Sequence, residues 1–306
     1  MPIKIPDDLP AAEILQKEGV DVMREQDAVR QDIRPLRIAL LNLMPKKIET
    51  ETQLSRLIGA SPLQVEMTLI SPSHYTPSNT PQEHMLAFYK PWEEVKHQKF
   101  DGLIITGAPV EEIDFEEVIY WDELRQIMDW TKTNVHGSLN ICWGAQAALY
   151  HHYKVPKYLL PRKLSGIYDH RVISRTDPIV RGFNHMLPVP VSRYTECRAK
   201  DIEKHGSLRI VLESDEAGTC MVTDKALNAV YIFNHLEYES RTLYNEYIRD
   251  TNARPDTVRV PENYFPNDDP SKTPRNTWKA HGHLLVGNWV NMTYQTTPYD
   301  LESIGS

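Results

Sequence analysis

The sequence predicts an α/β fold, a doubly wound and mostly parallel sheet flanked by helices, and three observations carry that prediction. Short apolar runs alternate with longer helix-like stretches, as in RIALLNLMP at 37–45 followed by KKIETETQLSRLIGA. The runs are nearly unbroken rather than alternating, which suits parallel strands covered on both faces. Finally, SLNICWGAQAALYHHY passes from strand through a glycine-containing turn into helix within sixteen residues, with Cys142 at the junction.

Taken in order, residues 1–35 mix Pro, Asp and Lys around a short amphipathic run from Ala11 to Met23, and read as an arm lying across the domain or a partner. The first β-α unit begins at Arg37. VEMTLI at 65–70 is the second strand; PQEHMLAFYKPWEEVKHQ supplies helical stretches interrupted at Pro91; DGLIITGAP at 101–109 is the third strand. A loop at 107–117 and a helix around 118–133 lead to the Cys142 junction. The stretch 154–206 carries many Pro, Arg and His residues and only short extended segments, so it reads as an insertion around the core. LRIVLES, GTCMVTD and NAVYIFNHLEY are three late strands, followed by a helix from about Ser240 to Asn252, a Pro- and Asn-rich loop through Pro274, and a closing helix from near Thr277. Residues 36–297 are thus expected to form one domain and 298–306 a tail, since α/β folds of this size are often single units.

Composition excludes several classes. A formal charge of −8 without any basic block argues against non-specific nucleic-acid binding, which needs clustered Lys and Arg. The hydrophobic share of 41% is enough for a substantial core. Cys142, Cys197 and Cys220 make an odd set with no CxxC pair, which favours a reducing compartment over a disulfide framework or a zinc site. Neither an apolar leader in MPIKIPDDLPAAEIL nor an apolar run of membrane-spanning length is present. The expectation is a cytoplasmic protein with no bound metal or cofactor and no membrane or nucleic-acid partner.

In an open parallel sheet, chemistry belongs at the carboxyl ends of the strands, where helix N-termini present backbone N–H groups. A thiol there has its thiolate favoured by those donors, and Gly144 is expected to permit the tight turn. Considered alone, Cys142 reads equally as an inert thiol ending a buried strand. NHLEY at 234–238 tips the balance: His235 and Glu237 are two apart at the end of a late strand and so should project to one side, giving a base and its orienter. The N–H of Trp143 is the natural first oxyanion donor, with Val110 or a neighbour as the second, because Pro109 has none. Cys197 and Cys220 read as structural, and the pairs His151/His152 and His281/His283 do not suggest a metal site.

This arrangement of a cysteine elbow and H-x-E resembles the class I glutamine amidotransferase-like fold, a flavodoxin-like architecture. In more detail, LLNLMPKKIETETQ, TGAPVEEIDFEEVIYW, LNICWGAQAALYH, LPRKLSGIYDHR, VSRYTE and FNHLEY, in this order over nearly the whole chain, resemble the homoserine O-acyltransferases of methionine biosynthesis. That resemblance implies a CoA-dependent acyltransferase with Cys142, His235 and Glu237 as its triad, substrate contacts from Lys163, Ser192 and Arg249, and L-homoserine as acceptor. It also makes a homodimer plausible. The donor divides the family, and the position after TGAPV is associated with the choice; Glu111 there would crowd and repel a succinyl carboxylate, so acetyl-CoA is the expected donor. The alternatives are a succinyltransferase, a glutaminase using the same triad, and a non-catalytic binding protein that has kept the fold.

Overall fold

In the computed structural model, which describes residues 3–4, 9–17, 22–23, 34–73, 79–255 and 258–305, the apolar run 36–41 is a strand buried at every position except Arg37. The chain begins with β1 (Ile3–Lys4), α1 (Pro10–Lys17) and β2 (Val22–Met23). Alternation then sets in with β3 (Leu36–Leu41), α2 (Lys47–Gly59), β4 (Val65–Ser71), α3 (Gln82–Phe88), β5 (Tyr89–Pro91), α4 (Trp92–Val95), β6 (Phe100–Ile105), α5 (Trp121–Asn134), β7 (Val135–Ile141) and α6 (Trp143–Tyr153). The second half contains β8 (Tyr158–Val172), β9 (Met186–Glu196), α7 (Ala199–Ile202), β10 (Leu208–Ser214), β11 (Gly218–Asp224), β12 (Ala229–Ile232), α8 (Thr242–Ala253) and α9 (Lys279–Thr296).

One sheet runs through the molecule in the order β2-β1-β4-β3-β6-β7-β12-β11-β10-β8-β9, with β5 beside β4. Pairing is parallel from β2 to β12 and antiparallel from β12 to β9. Because side chains alternate across a strand, Leu36, Ile38 and Leu40 enter a core with α1, α2 and α9, while Ala39 and Leu41 enter a second core with α5 and α6. Helices therefore cover both faces, and the predicted doubly wound sheet is found.

The segment 154–206 departs from expectation. It is chiefly two long antiparallel strands, β8 and β9, that extend the sheet itself. Its proline content misled the reading: Pro188 and Pro190 lie in β9, whose only partner strand among the described residues is β8, and an edge strand tolerates residues without an N–H. At the opposite edge, α1 and the residue preceding it bury Leu9, Ala11, Ala12 and Leu15 in the same core as α2. Parts of the run from Ala11 to Met23 fall outside the described residues. No helix among those described is long and apolar enough to cross a membrane.

Candidate active site

Cys142 sits between β7 and α6 with φ 53 and ψ −122, a left-handed conformation that costs a residue with a Cβ. The strain is held by its surroundings. Its N–H donates to Ile232 O at 2.7 Å, and the Trp143 N–H points at the thiol. The turn is carried by Cys142 itself and not, as expected, by Gly144. A Cβ at Gly144 would stand 2.5 Å from Thr106 O, so that glycine lets α6 press against the end of β6. Across the thiol, a Cβ at Gly107 would meet the Cys142 Cβ at 3.1 Å.

β12 ends at Ile232, so His235 and Glu237 belong to the following turn and strand periodicity does not align them. The turn does so instead. His235 N–H donates to Pro190 O at 2.9 Å, and Tyr238 N–H closes back onto His235 O at 3.3 Å. Nδ1 of His235 lies 2.6 Å from Glu237 Oε1, and the imidazole shares the cleft with the Cys142 thiol, each influencing the other's charge. Tyr238 stacks on the ring with centroids 4.1 Å apart, and its own carbonyl accepts from Trp278 Nε1 at 2.7 Å. Burial opposes a charge on His235, yet the Glu237 carboxylate and the thiol raise its pKa well above the ordinary value. For Cys142, burial pushes the thiol pKa up, and the nearby imidazolium pulls the other way. The two groups titrate as a coupled pair, burial holding the thiol above its ordinary value and Glu237 with the thiol holding the imidazole above its own.

These groups open onto a cleft of ≈ 280 Å³ that also exposes Glu111, Lys163, Ser192, Tyr194, Glu246 and Arg249. Lys163 reaches it through an irregularity: β8 advances from Leu159 to Leu164 while β9 steps only from Thr195 to Arg193, and the bulged chain re-aims the side chain. Its ammonium lies 2.7 Å from Asp250 and 3.4 Å from Glu246.

A sequence profile of the homoserine O-succinyltransferase family matches residues 2–299. The chain belongs to this family. It is 57% identical over 305 residues to a protein of Rhizobium rhizogenes and 55% identical to one of Brucella abortus, covering 100% of this chain and 99% of each relative; both are named homoserine O-acetyltransferase. Among solved structures, a glutamine amidotransferase from Thermotoga maritima aligns with TM-score 0.57 at 13% identity, covering 86% of this chain and 100% of that one. A putative GMP synthase subunit from Thermoplasma acidophilum aligns at 0.55, with 13% identity and 86% and 96% coverage. These likenesses show the glutamine amidotransferase-like fold.

Within this member of the homoserine O-succinyltransferase family, Glu111 points into the cleft. Its Oε2 accepts from Tyr194 N–H at 3.2 Å, and Lys157 Nζ fixes its backbone by donating to Glu111 O at 2.7 Å. Oε1 is buried with no hydrogen-bond partner among the described residues. Burial raises the carboxyl to about 6, with the Tyr194 N–H and the charge of His235 acting in the opposite direction. Arg249 is half-exposed at the mouth, its Nε 2.7 Å from Asp250 Oδ1. Ser192 Oγ donates to Glu246 Oε2.

The sequence reading missed Glu246. Its carboxylate accepts from Ser192 and, at 2.7 Å, from the Tyr238 hydroxyl; despite burial, Lys163 and these donors hold its pKa below the ordinary value. The signal was present in the helical period, since Glu246, Arg249 and Asp250 share one face of α8. Missed as well was a buried network behind the cleft wall. Lys47 donates to Asn42 O, Asn42 Nδ2 to the Tyr89 hydroxyl at 2.8 Å, and that hydroxyl to Glu51, fixing the turn that carries Met44.

Val110 also differs from its expected role. Its N–H donates to Ala108 O at 2.9 Å and is thereby occupied in this conformation. Cys197 and Cys220 are buried, each pushed by burial to about 12, and neither lines the cleft. Asp129, His151 and His152 bring ligand-capable atoms within 4.8 Å of one another outside it.

Proposed function

We propose that the chain is a homoserine O-acetyltransferase, moving acetyl from acetyl-CoA to the hydroxyl of L-homoserine through a thioester on Cys142. The observation that carries the acetyl assignment is the buried Glu111 carboxylate beside the thiol and His235. It takes up space and places negative charge where a succinyl group would bring its own carboxylate. The names of the full-length relatives support the same donor.

In the first half-reaction the Cys142 thiolate attacks the acetyl carbonyl. A new S–C bond forms, the bond to the CoA sulfur breaks, and the departing thiolate takes the proton held on His235. In the second half, neutral His235 accepts the homoserine hydroxyl proton as that oxygen attacks the enzyme thioester. Collapse releases O-acetyl-L-homoserine and restores the thiolate beside an imidazolium. Glu237 fixes the ring and stabilises its charge. The Trp143 N–H faces the developing oxyanion, and Val110 serves as a second donor once its turn opens. Arg249 receives the acceptor's carboxylate with bidentate geometry, while Lys163 and Ser192 line its path.

The same reading has residues 36–297 as one catalytic domain, in a cytoplasmic homodimer without nucleic-acid or membrane partners; it rests on the family resemblance, the free cysteines and the acidic balance. Intact mass after incubation with each donor, without acceptor, tests the chemistry. One acetyl added at Cys142 by acetyl-CoA, with no adduct from succinyl-CoA, is the expected result. Succinylation in preference to acetylation would reverse the donor assignment.

A further inference from the structure

Resting on that reading, we infer that the nucleotide and pantetheine arm of the acyl-CoA lies in a second cavity adjoining the catalytic cleft, with Arg162, Arg254 and Arg259 receiving its phosphates. This cavity, of ≈ 350 Å³, shares Glu112, Lys163 and Tyr194 with the cleft as common walls. The direction follows from space. On the side of His235 and Gly107 the cleft adjoins a void of ≈ 30 Å³ reaching Gln53 and Leu54, too narrow to pass a pantetheine chain toward the cavity beyond Gln53. Toward Lys163 and Tyr194 the adjoining cavity has more than the cleft's own volume.

The lining chemistry fits an arm that is apolar near the thioester and anionic at its far end. Leu159, Leu160, Val258 and Val260 offer aliphatic surface, and Leu159 is 65% exposed although it lies in a strand. The three arginines add positive charge, in a protein whose net charge is −8. Two of them contact carboxylates at the rim: Arg162 is 3.3 Å from Glu262 and Arg254 3.8 Å from Glu112, with side chains 45–62% exposed. Such exposed pairs contribute little, whereas guanidinium on phosphate is a strong, charge-assisted contact. Asp250, the remaining carboxylate of the lining, is already neutralised by Lys163 and Arg249.

The test compares acetyl-CoA with the acetyl thioester of N-acetylcysteamine, which lacks the nucleotide. In Arg162→Ala/Arg259→Ala and in Arg254→Ala, kcat/KM for acetyl-CoA should fall roughly tenfold or more relative to that for the short donor, mainly through KM. An unchanged ratio overturns the inference. Calorimetric titration with coenzyme A itself separates this failure from failure of the acetyltransferase reading. If neither donor acylates the wild-type protein, that reading falls, and the cavity is then judged by whether the arginine variants weaken coenzyme A binding. Equal binding to wild type and variants, or none to wild type, rejects it.

Discussion

The Glu111 carboxylate accepts the backbone N–H of Tyr194 at 3.2 Å, so the loop after β6 and the edge strand β9 are joined beside the Cys142 thiol. The side chain proposed to select the donor is therefore pinned in place. It is a fixed wall of the cleft.

Removing that wall should widen donor choice. Glu111→Gly is expected to raise kcat/KM for succinyl-CoA by roughly tenfold or more, since both bulk and repulsion are lost. Steady-state kinetics with the two donors at fixed homoserine decide the matter; an unaltered preference would remove Glu111 from the specificity argument.

Glu111 should also cost stability. Its carboxyl titrates near 6 in the folded protein against an ordinary 4.5, so between those values the folded state binds more protons than the unfolded one and stability falls as pH rises. The cost is complete above about 6 and absent below about 4.5, and amounts to ~2 kcal/mol. Urea unfolding of Glu111→Gln should show a gain of that order at neutral pH that vanishes in acid.

Glu237→Gln should remove the main support for charge on His235. Turnover is expected to fall by about 10²–10⁴-fold. Alkylation of Cys142 by iodoacetamide should shift to higher pH in the variant, because the thiolate loses its imidazolium partner. An identical alkylation profile would mean that Glu237 only braces the turn.

Cys142→Gly and Cys142→Ala should both abolish acyl transfer, yet differ in stability. Glycine relaxes the backbone at φ 53, whereas alanine keeps the strain. Thermal or chemical unfolding should favour the glycine variant by about 1–3 kcal/mol. Equal stabilities would place no strain at the elbow.

Gly144→Ala probes the packing beneath the elbow. With its Cβ 2.5 Å from Thr106 O, the change should destabilise the fold by about 1–3 kcal/mol or more and push α6 away from β6. Activity should fall with it, because the thiol rides on the first turn of that helix.

How far these features were legible follows from the range over which each is encoded. The elbow was readable because strand, thiol, glycine and helix are consecutive, and the parallel sheet because each unit repeats one local pattern. The function assigned to Gly144 was not, since a close approach to Thr106 involves a residue distant in sequence. His235 and Glu237 meet without the strand periodicity expected of them: a turn anchored on Pro190 aligns them, and that contact exists because the topology carries the β9 edge strand there. β9 itself was hidden by its prolines. The hydrogen-bonded group of Lys163, Ser192, Tyr238 and Glu246 draws on a bulge, an edge strand, a turn and a helix, and no single stretch of sequence announces such a meeting.

The bond from His235 N–H to Pro190 O has an evolutionary corollary. A peptide carbonyl is present whatever residue occupies position 190, so the backbone of His235 is moored to the hairpin's main chain and not to its side chains. Side chains along β8 and β9 can then be exchanged, redrawing what the cleft admits, while His235 keeps its footing. Within such an arrangement, new selectivity and conserved chemistry can be inherited separately.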